Sequence, residues 1–348
     1  MSTLPTVVAS SVIRSSHQGE SHGGLYLVDM ETERCKMVVD WDDQTIDWSG
    51  RGFDRGLRGI AIYEDRVYVA ASDEIFVFDS SFNLLAGYRN AYLRHCHEIH
   101  VADGRLLVSS TGYDSVLEFD LSALSFVRGW CLRLEGLRSA ATWLSRKTQR
   151  PRLAVGTKPT LRLFDPLSAD GPEPGDTVHI NMVRSVDGRF FVATKRVPYV
   201  LEVVKDRLVA YGSIPFATHN AMPYGEGVLL NDTASDRVIR SDRRGRVLSA
   251  HPIKRYSDAD LEAADLPQDH ARQAFGRGLC LAGESLIVGG SSPATVSVYT
   301  DGQTEALKTV NITMDVRNTI HGLEIFPWPI PDDVSSAPAS TLAPQAEG

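Results

Sequence analysis

Short runs in which apolar and polar residues alternate fill most of this chain: RVYVAAS, EIFVFDS, RLLVSST, SVLEFDL, RFFVATK, YVLEVVK, SLIVGGS and TVSVYT. A period of two in segments rich in Val, Ile, Leu, Phe and Tyr predicts β-strands. Turn-forming residues stand between them, at Glu64-Asp65, Asp103-Gly104, Arg243-Arg244-Gly245 and Asp301-Gly302. Such pairs are the chemistry of hairpins. Inside these runs no long amphipathic helix is expected.

The stretch Arg94 to Leu121, RHCHEIHVADGRLLVSSTGYDSVLEFDL, serves as a template that recurs along the chain. Arg58 opens RGIAIYEDRVYVA, His97 HEIHVADGRLLVS, His219 HNAMPYGEGVLLN and Arg277 RGLCLAGESLIVG. Arg138 and His179 open longer hairpins, and His321 opens HGLEIF near the C-terminus. The seven openings are spaced by 39, 41, 41, 40, 58 and 44 residues. A period near 40 residues with several short strands in each repeat is the signature of propeller blades.

This spacing predicts an all-β, seven-bladed β-propeller over residues 1–328. Six blades begin at Arg58, His97, Arg138, His179, His219 and Arg277. The N-terminus supplies three strands (TVVASSVIR, GGLYLVDM, CKMVVDW) without an inner one, and TIHGLEIF supplies an inner strand with nothing after it. Joined, they make the seventh blade and close the ring, which removes open sheet edges. Residues 41–57 form a long connection, and residues 254–276 are an insertion with a short helix expected around Asp258 to Ala264. Residues 329–348, rich in Pro, Ala and Ser, are expected to be a disordered tail.

Composition narrows the function classes. The net charge of -8, with both signs interspersed, argues against a nucleic-acid partner. No run of eighteen apolar residues marks a membrane span, and no basic n-region precedes an apolar stretch. A cytoplasmic location follows as an expectation. Cys35, Cys96, Cys131 and Cys280 lack C-x-x-C spacing and read as buried small hydrophobes. P-loop, G-x-S-x-G, H-E-x-x-H and Rossmann patterns do not occur in suitable context.

The candidate chemistry lies in the column of opening residues. In a propeller the first residues of the inner strands meet at one channel mouth. His97, His179, His219 and His321 together suit a divalent transition metal such as Fe, Mn, Zn or Ni. Glu98 or Glu324 could orient an imidazole from behind. Arg58, Arg138 and Arg277 in the same column call for an anionic small molecule. A water-filled polar ring is the competing reading. Loop residues on the same face, Tyr113, Asp114, Lys158, Lys195, Arg196, Asn231, Asp232, Ser291 and Ser292, are secondary candidates. Of these, Tyr113 and Lys195 are the candidate acid–base groups. His100 reads as a structural histidine, and His17, His22 and His270 as surface residues.

This layout resembles that of seven-bladed metal-dependent propeller enzymes, although no signature motif of a family is present. Virginiamycin B lyase and oligogalacturonate lyase place histidines at a metal-assisted elimination site. The carotenoid cleavage oxygenases hold Fe(II) with four axial histidines, and His97, His179, His219 and His321 occupy places of that kind. The chain is shorter than the carotenoid enzymes, and three arginines do not suit an apolar polyene. The resemblance therefore implies a lyase acting on an anionic small molecule or sugar acid. An Fe(II) oxygenase and a non-catalytic binding scaffold are the alternatives.

Overall fold

The computed structural model describes residues 4–17, 19–42, 56–135, 158–266 and 272–331, and their regular structure is nearly all β-strand. The first sheet begins with β1 (Thr6–Ile13), β2 (Gly24–Asp29) and β3 (Arg34–Asp40). The second is β4 (Ile60–Tyr63), β5 (Arg66–Ala70), β6 (Glu74–Asp79) and β7 (Leu84–Arg89). The third is β8 (Cys96–Ala102), β9 (Arg105–Ser110), β10 (Ser115–Asp120), β11 (Ser125–Glu135) and β12 (Lys158–Phe164). The fourth is β13 (Ile180–Val186), β14 (Arg189–Thr194), β15 (Tyr199–Val204) and β16 (Arg207–Ser213). The fifth is β17 (His219–Tyr224), β18 (Gly227–Asp232), β19 (Arg237–Asp242) and β20 (Val247–Pro252). The sixth is β21 (Leu279–Ala282), β22 (Leu286–Ser291), β23 (Thr295–Thr300) and β24 (Lys308–Asn311). Finally β25 (Asn318–Ile325) pairs with β1 and completes the first sheet, in the order β25-β1-β2-β3.

All pairings within these sheets are antiparallel between chain neighbours, apart from the β25–β1 pair, which joins the two ends of the chain. The turns explain the register. Asp103-Gly104 and Asp187-Gly188 both carry positive φ at each residue (49° and 71°, 52° and 70°). That is the backbone of a two-residue hairpin whose twist matches its strands. A second device recurs at the end of the third strand of several sheets. Asp29, Asp79, Asp120 and Asp242 each accept two backbone N–H groups from the turn that follows, at 2.8–3.1 Å. These contacts hold the Asp120 carboxyl at about 2, the Ala123 and Ser122 hydrogen bonds being the main cause.

The chain divides into two units. One comprises Met1–Tyr88, Lys254–Thr300 and Ala306–Gly348, and the other Arg89–Ile253 and Asp301–Glu305. In the first unit β25 touches β4 on one side and β21 and β22 on the other, so the first sheet lies between the second and the sixth. Its strands show why they read as almost continuous apolar runs. Val8, Leu25 and Leu27 pack with Ile60, Val67 and Phe78, whereas Val7, Ala9, Tyr26 and Val28 pack with Val288, Val296 and Val298. Both faces are buried, and each such side chain contributes roughly 1.5–3 kcal/mol. In the second unit β13 touches β8 and β17, and Leu107, Val116 and Trp130 pack against Ile180, Val183 and Val192. Consecutive antiparallel meanders with inner strands in contact are propeller blades, and the fold is an all-β β-propeller.

The blade count differs from the expectation of seven. The described residues form six sheets. The expected blade from Arg138 does not appear as a separate sheet, because β12, its last strand, is the fifth strand of the third sheet. The cause lies in β11. Its pairing with β10 ends at Cys131, but the strand runs on to Glu135, and β12 satisfies the remaining edge from Gly129 to Glu135. Residues 136–157, on which the expected hairpin rested, lie outside the described residues, as do His270 and most of the expected tail.

Three smaller expectations also change. The helix expected around Asp258 to Ala264 is a single 3-10 turn, Asp258–Asp260, capped by Ser257. Glu262 instead exchanges backbone hydrogen bonds with Met314 and Val316, which draws the chain out of helical geometry. His22 is buried rather than superficial, with Nδ1 2.9 Å from Ser16 Oγ. Cys35 is exposed, while Cys96, Cys131 and Cys280 are buried. Among the described residues no helix is long and apolar enough to cross a membrane.

Gly322 on β25 lies close against the backbone of Arg58, just ahead of β4. Ser10 Oγ donates to Arg58 O and accepts from Gly322 N at 2.8 Å. A Cβ on Gly322 would stand 2.2 Å from Arg58 O, against backbone that cannot swing away. Gly322→Ala is expected to lower stability by about 1–3 kcal/mol. A fall in the urea midpoint with an unchanged m-value would show it, and an unchanged midpoint would contradict it.

Candidate functional site

The inner strands of the second unit break their own ladders where the polar residues sit. Pairing is interrupted between Cys96 and Ile99, between Ile180 and Met182, and between His219 and Met222. Bulges release residues from strict alternation and re-aim side chains. The residues released are His97 and Glu98 on β8, Asn181 on β13, and Asn220 with Ala221 on β17. His97, Asn181, His219 and Asn220 are all buried. Asn220 reaches back to β8, where its Nδ2 donates to Glu98 Oε1 at 2.8 Å.

The neighbours of the imidazoles fix their tautomers. Thr111 Oγ1 gives its proton to Ile180 O at 2.6 Å, so it can only accept from His97 Nδ1, 2.9 Å away. His95 O is a second acceptor for that same nitrogen, at 2.9 Å. Thr233 Oγ1 likewise donates to Ala217 O and accepts from His219 Nδ1 at 3.2 Å. His179 Nδ1 faces the Asp176 carboxylate at 3.0 and 3.1 Å. In all three histidines Nδ1 therefore carries the proton and Nε2 the lone pair. The rings of His97 and His179 meet edge to face, with centroids 5.4 Å apart.

Burial above all favours the neutral form of His179. Burial lowers its pKa, the Asp176 hydrogen bond and charge oppose that, and Lys195 and Arg196 lower it further; the net shift is downward. For Asp176, burial raises the pKa, but the His179 hydrogen bond and the nearby cations prevail and hold the carboxyl below its usual range. Lys195 thus lies within electrostatic reach of His179, and its own N–H donates to His179 O at 2.9 Å. Tyr113 is elsewhere in purpose: its ring packs edge to face on Tyr92, centroids 5.4 Å apart.

Asp114, beside Tyr113, is the anchor of this region. It is fully buried and sits in the left-handed conformation (φ 48°, ψ 41°) that ends the short turn Thr111–Tyr113. Its carboxylate accepts from Thr177 N and Oγ1 (both 2.6 Å), Val178 N (3.0 Å), His179 N (3.1 Å) and Arg133 Nη1 (2.9 Å). One carboxylate on the third sheet thereby fixes the backbone that presents His179, itself at φ 58°. The other loop candidates are more local. Asp232 binds its own turn at Ala234 and Ser235, and Ser292 Oγ donates to Arg272 O.

In the first unit the column takes another form. Arg277 Nη1 donates to His321 Nε2 at 2.5 Å, so the lone pair expected to meet a metal is engaged by a guanidinium. Arg58 is buried and its carbonyl is held by Ser10. Arg14, Arg272 and Arg277 gather round Phe275, their guanidinium carbons 5.1, 5.0 and 5.0 Å from the ring centre. Arg138 lies outside the described residues. Among the described residues no three His, Cys, Asp or Glu side chains form a ready group for a metal ion.

Sequence reasoning missed Thr111, Thr233 and the guanidinium group around Phe275. A signal for the hydroxyls exists. Ser72, Thr111, Thr233 and Ser291 each stand fourteen residues after an opening residue, Arg58, His97, His219 and Arg277. After His179 the same position is Ala193, and there Asp176 does the work for His179; after Arg138 it is Arg152.

No family model and no curated protein matches this sequence. Two solved structures align with this chain. A protein of unknown function from Bacteroides caccae aligns over 92% of this chain and 98% of its own, with a TM-score of 0.53 and 9% identity. The WD40 β-propeller domain of Doa1 aligns over 76% of this chain and 72% of its own, with a TM-score of 0.43 and 10% identity.

Proposed function

We infer that this propeller binds a divalent transition metal through Nε2 of His97, His179 and His219, and acts on an anionic small molecule by elimination. The shared tautomer carries this reading: each Nδ1 is tied to an oxygen, which orients the ring and leaves Nε2 as the coordinating atom. A depressed pKa at His179 favours the neutral imidazole that a metal requires. When bound, such a metal supplies Lewis acidity for negative charge developing beside a carboxylate. Lys195, next to His179, is placed better than Tyr113 to move a proton. Lys195 and Arg196, the cations that act on His179, are the groups of this unit that would meet the anion.

Elemental analysis of protein purified without chelator tests this. The wild type is expected to carry roughly one metal per chain. His179→Ala/His219→Ala is expected to carry none while keeping its β-sheet circular dichroism. Manganese, zinc or nickel would fit a lyase, and iron with dioxygen-dependent turnover would turn the reading to an oxygenase. No metal in either protein, after growth with added metals, would sink it in favour of a ligand-binding scaffold.

A further inference from the structure

We propose that the turn between β19 and β20 is a docking surface for an acidic segment of a partner protein that also carries aliphatic residues. Arg243, Arg244 and Arg246 fall within this one turn, in a chain whose net charge is -8. An open groove is lined by these three arginines with Glu226 and Asp242. Gly227 pairs with Asp242 at one end of the fifth sheet, whereas His219 pairs with Asn231 at the other. The surface therefore lies away from the histidines and does not rest on the metal reading.

The two carboxylates leave the groove positive. Asp242 is committed to its own turn: it accepts the Arg244 and Arg246 N–H groups at 2.9 Å and meets Arg246 Nε at 3.3 Å. The Arg246 backbone hydrogen bond is the main reason its carboxyl lies below the usual range. Glu226 is almost wholly exposed, and its 3.6 Å approach to Arg243 is too long for a hydrogen bond. Among the described residues the Arg244 guanidinium makes no ion pair. The Arg243 guanidinium is held over the Tyr211 ring, its carbon 4.4 Å from the ring centre, so it is oriented before any ligand arrives.

An apolar half adjoins the cations. β20 is the outer strand of its sheet, and a bulge opposite Arg240 and Ser241 leaves Leu248 outside the ladder. Val247 and Leu248 are 53% and 48% exposed as a result. Guanidinium groups grip carboxylates through paired hydrogen bonds. An acidic peptide, unlike a phosphodiester chain, also brings aliphatic side chains to cover Val247 and Leu248.

The test is fluorescence anisotropy of the full chain with a labelled peptide in which pairs of glutamates alternate with single leucines. Saturable binding is expected, weakening as salt is raised. Arg243→Ala/Arg244→Ala/Arg246→Ala is expected to weaken it about tenfold. That variant keeps the backbone N–H groups that Asp242 accepts, so its Tm is expected to stay close to that of the wild type. A leucine-free glutamate peptide is expected to bind more weakly than the probe. His179→Ala is expected to bind the probe as the wild type does, so failure of this surface and failure of the metal site are separate results. No saturation up to about 1 mM peptide would overturn the proposal, as would undiminished binding by the triple variant or equal affinity for the leucine-free peptide. Tighter binding of a labelled oligothymidylate of equal charge would also overturn it, and would assign the surface to nucleic acid.

Discussion

Replacing Asp114 with alanine is expected to lower the unfolding free energy by roughly 3–5 kcal/mol, the range for breaking a buried, fully hydrogen-bonded charge. The carboxylate accepts five hydrogen bonds, and no other group could take them up if it were removed by truncation alone. Three of the donors are backbone N–H groups of Thr177, Val178 and His179, so the effect is also local. Hydrogen exchange at these three amides should accelerate more than exchange elsewhere in β13 and β14. Chemical denaturation gives the global figure. A loss below about 1 kcal/mol would mean that solvent replaces the carboxylate and that the anchor is dispensable.

The second large effect is acid lability from His100. Its pKa is lowered from 6.5 to about 3, chiefly by burial and then by the charge of Arg184, against a raising hydrogen bond to Ser185 O at 3.2 Å. The folded state thus binds a proton less readily than the unfolded chain does. The stability this neutral imidazole allows is fully present above pH 6.5 and is lost as pH falls from there towards 3. The slope is at most roughly 1.4 kcal/mol per pH unit. His100→Gln can keep a donor near Ser185 without the titration. Unfolding curves across about pH 7 to pH 4 should show the wild type losing its margin over the variant as pH drops. Parallel curves would contradict the assignment.

These residues show how far the sequence could be read. Strands and turns were legible because alternation and Asp-Gly pairs act locally, and Asp103-Gly104 adopts the backbone its chemistry favours. The pairing of the last strand with the first was legible too, since each remnant lacked what the other supplied. The count of blades was not, because β12 joins a sheet through the overlong β11, and sequence spacing does not report strand length beyond a partner. The column of cations was visible, but its partners were not. Alternation assumes an unbroken ladder, and the bulges at His97-Glu98, Asn181 and Asn220 break it where the polar groups lie. Asp114 looked like an ordinary loop-tip residue; only its burial and its contacts with residues more than sixty positions away reveal its weight.

The pairing of β25 with β1 has a consequence for biosynthesis. Ser10 and Gly322 stand 312 positions apart, so the ribosome must deliver every residue between them before they can meet. The run from Arg89 to Ile253 emerges uninterrupted and can fold while translation continues, whereas the flanking unit waits with one strand's edge uncovered. A nascent chain stalled before Asn318 would offer that edge to other polypeptides, which makes it a natural client for chaperones.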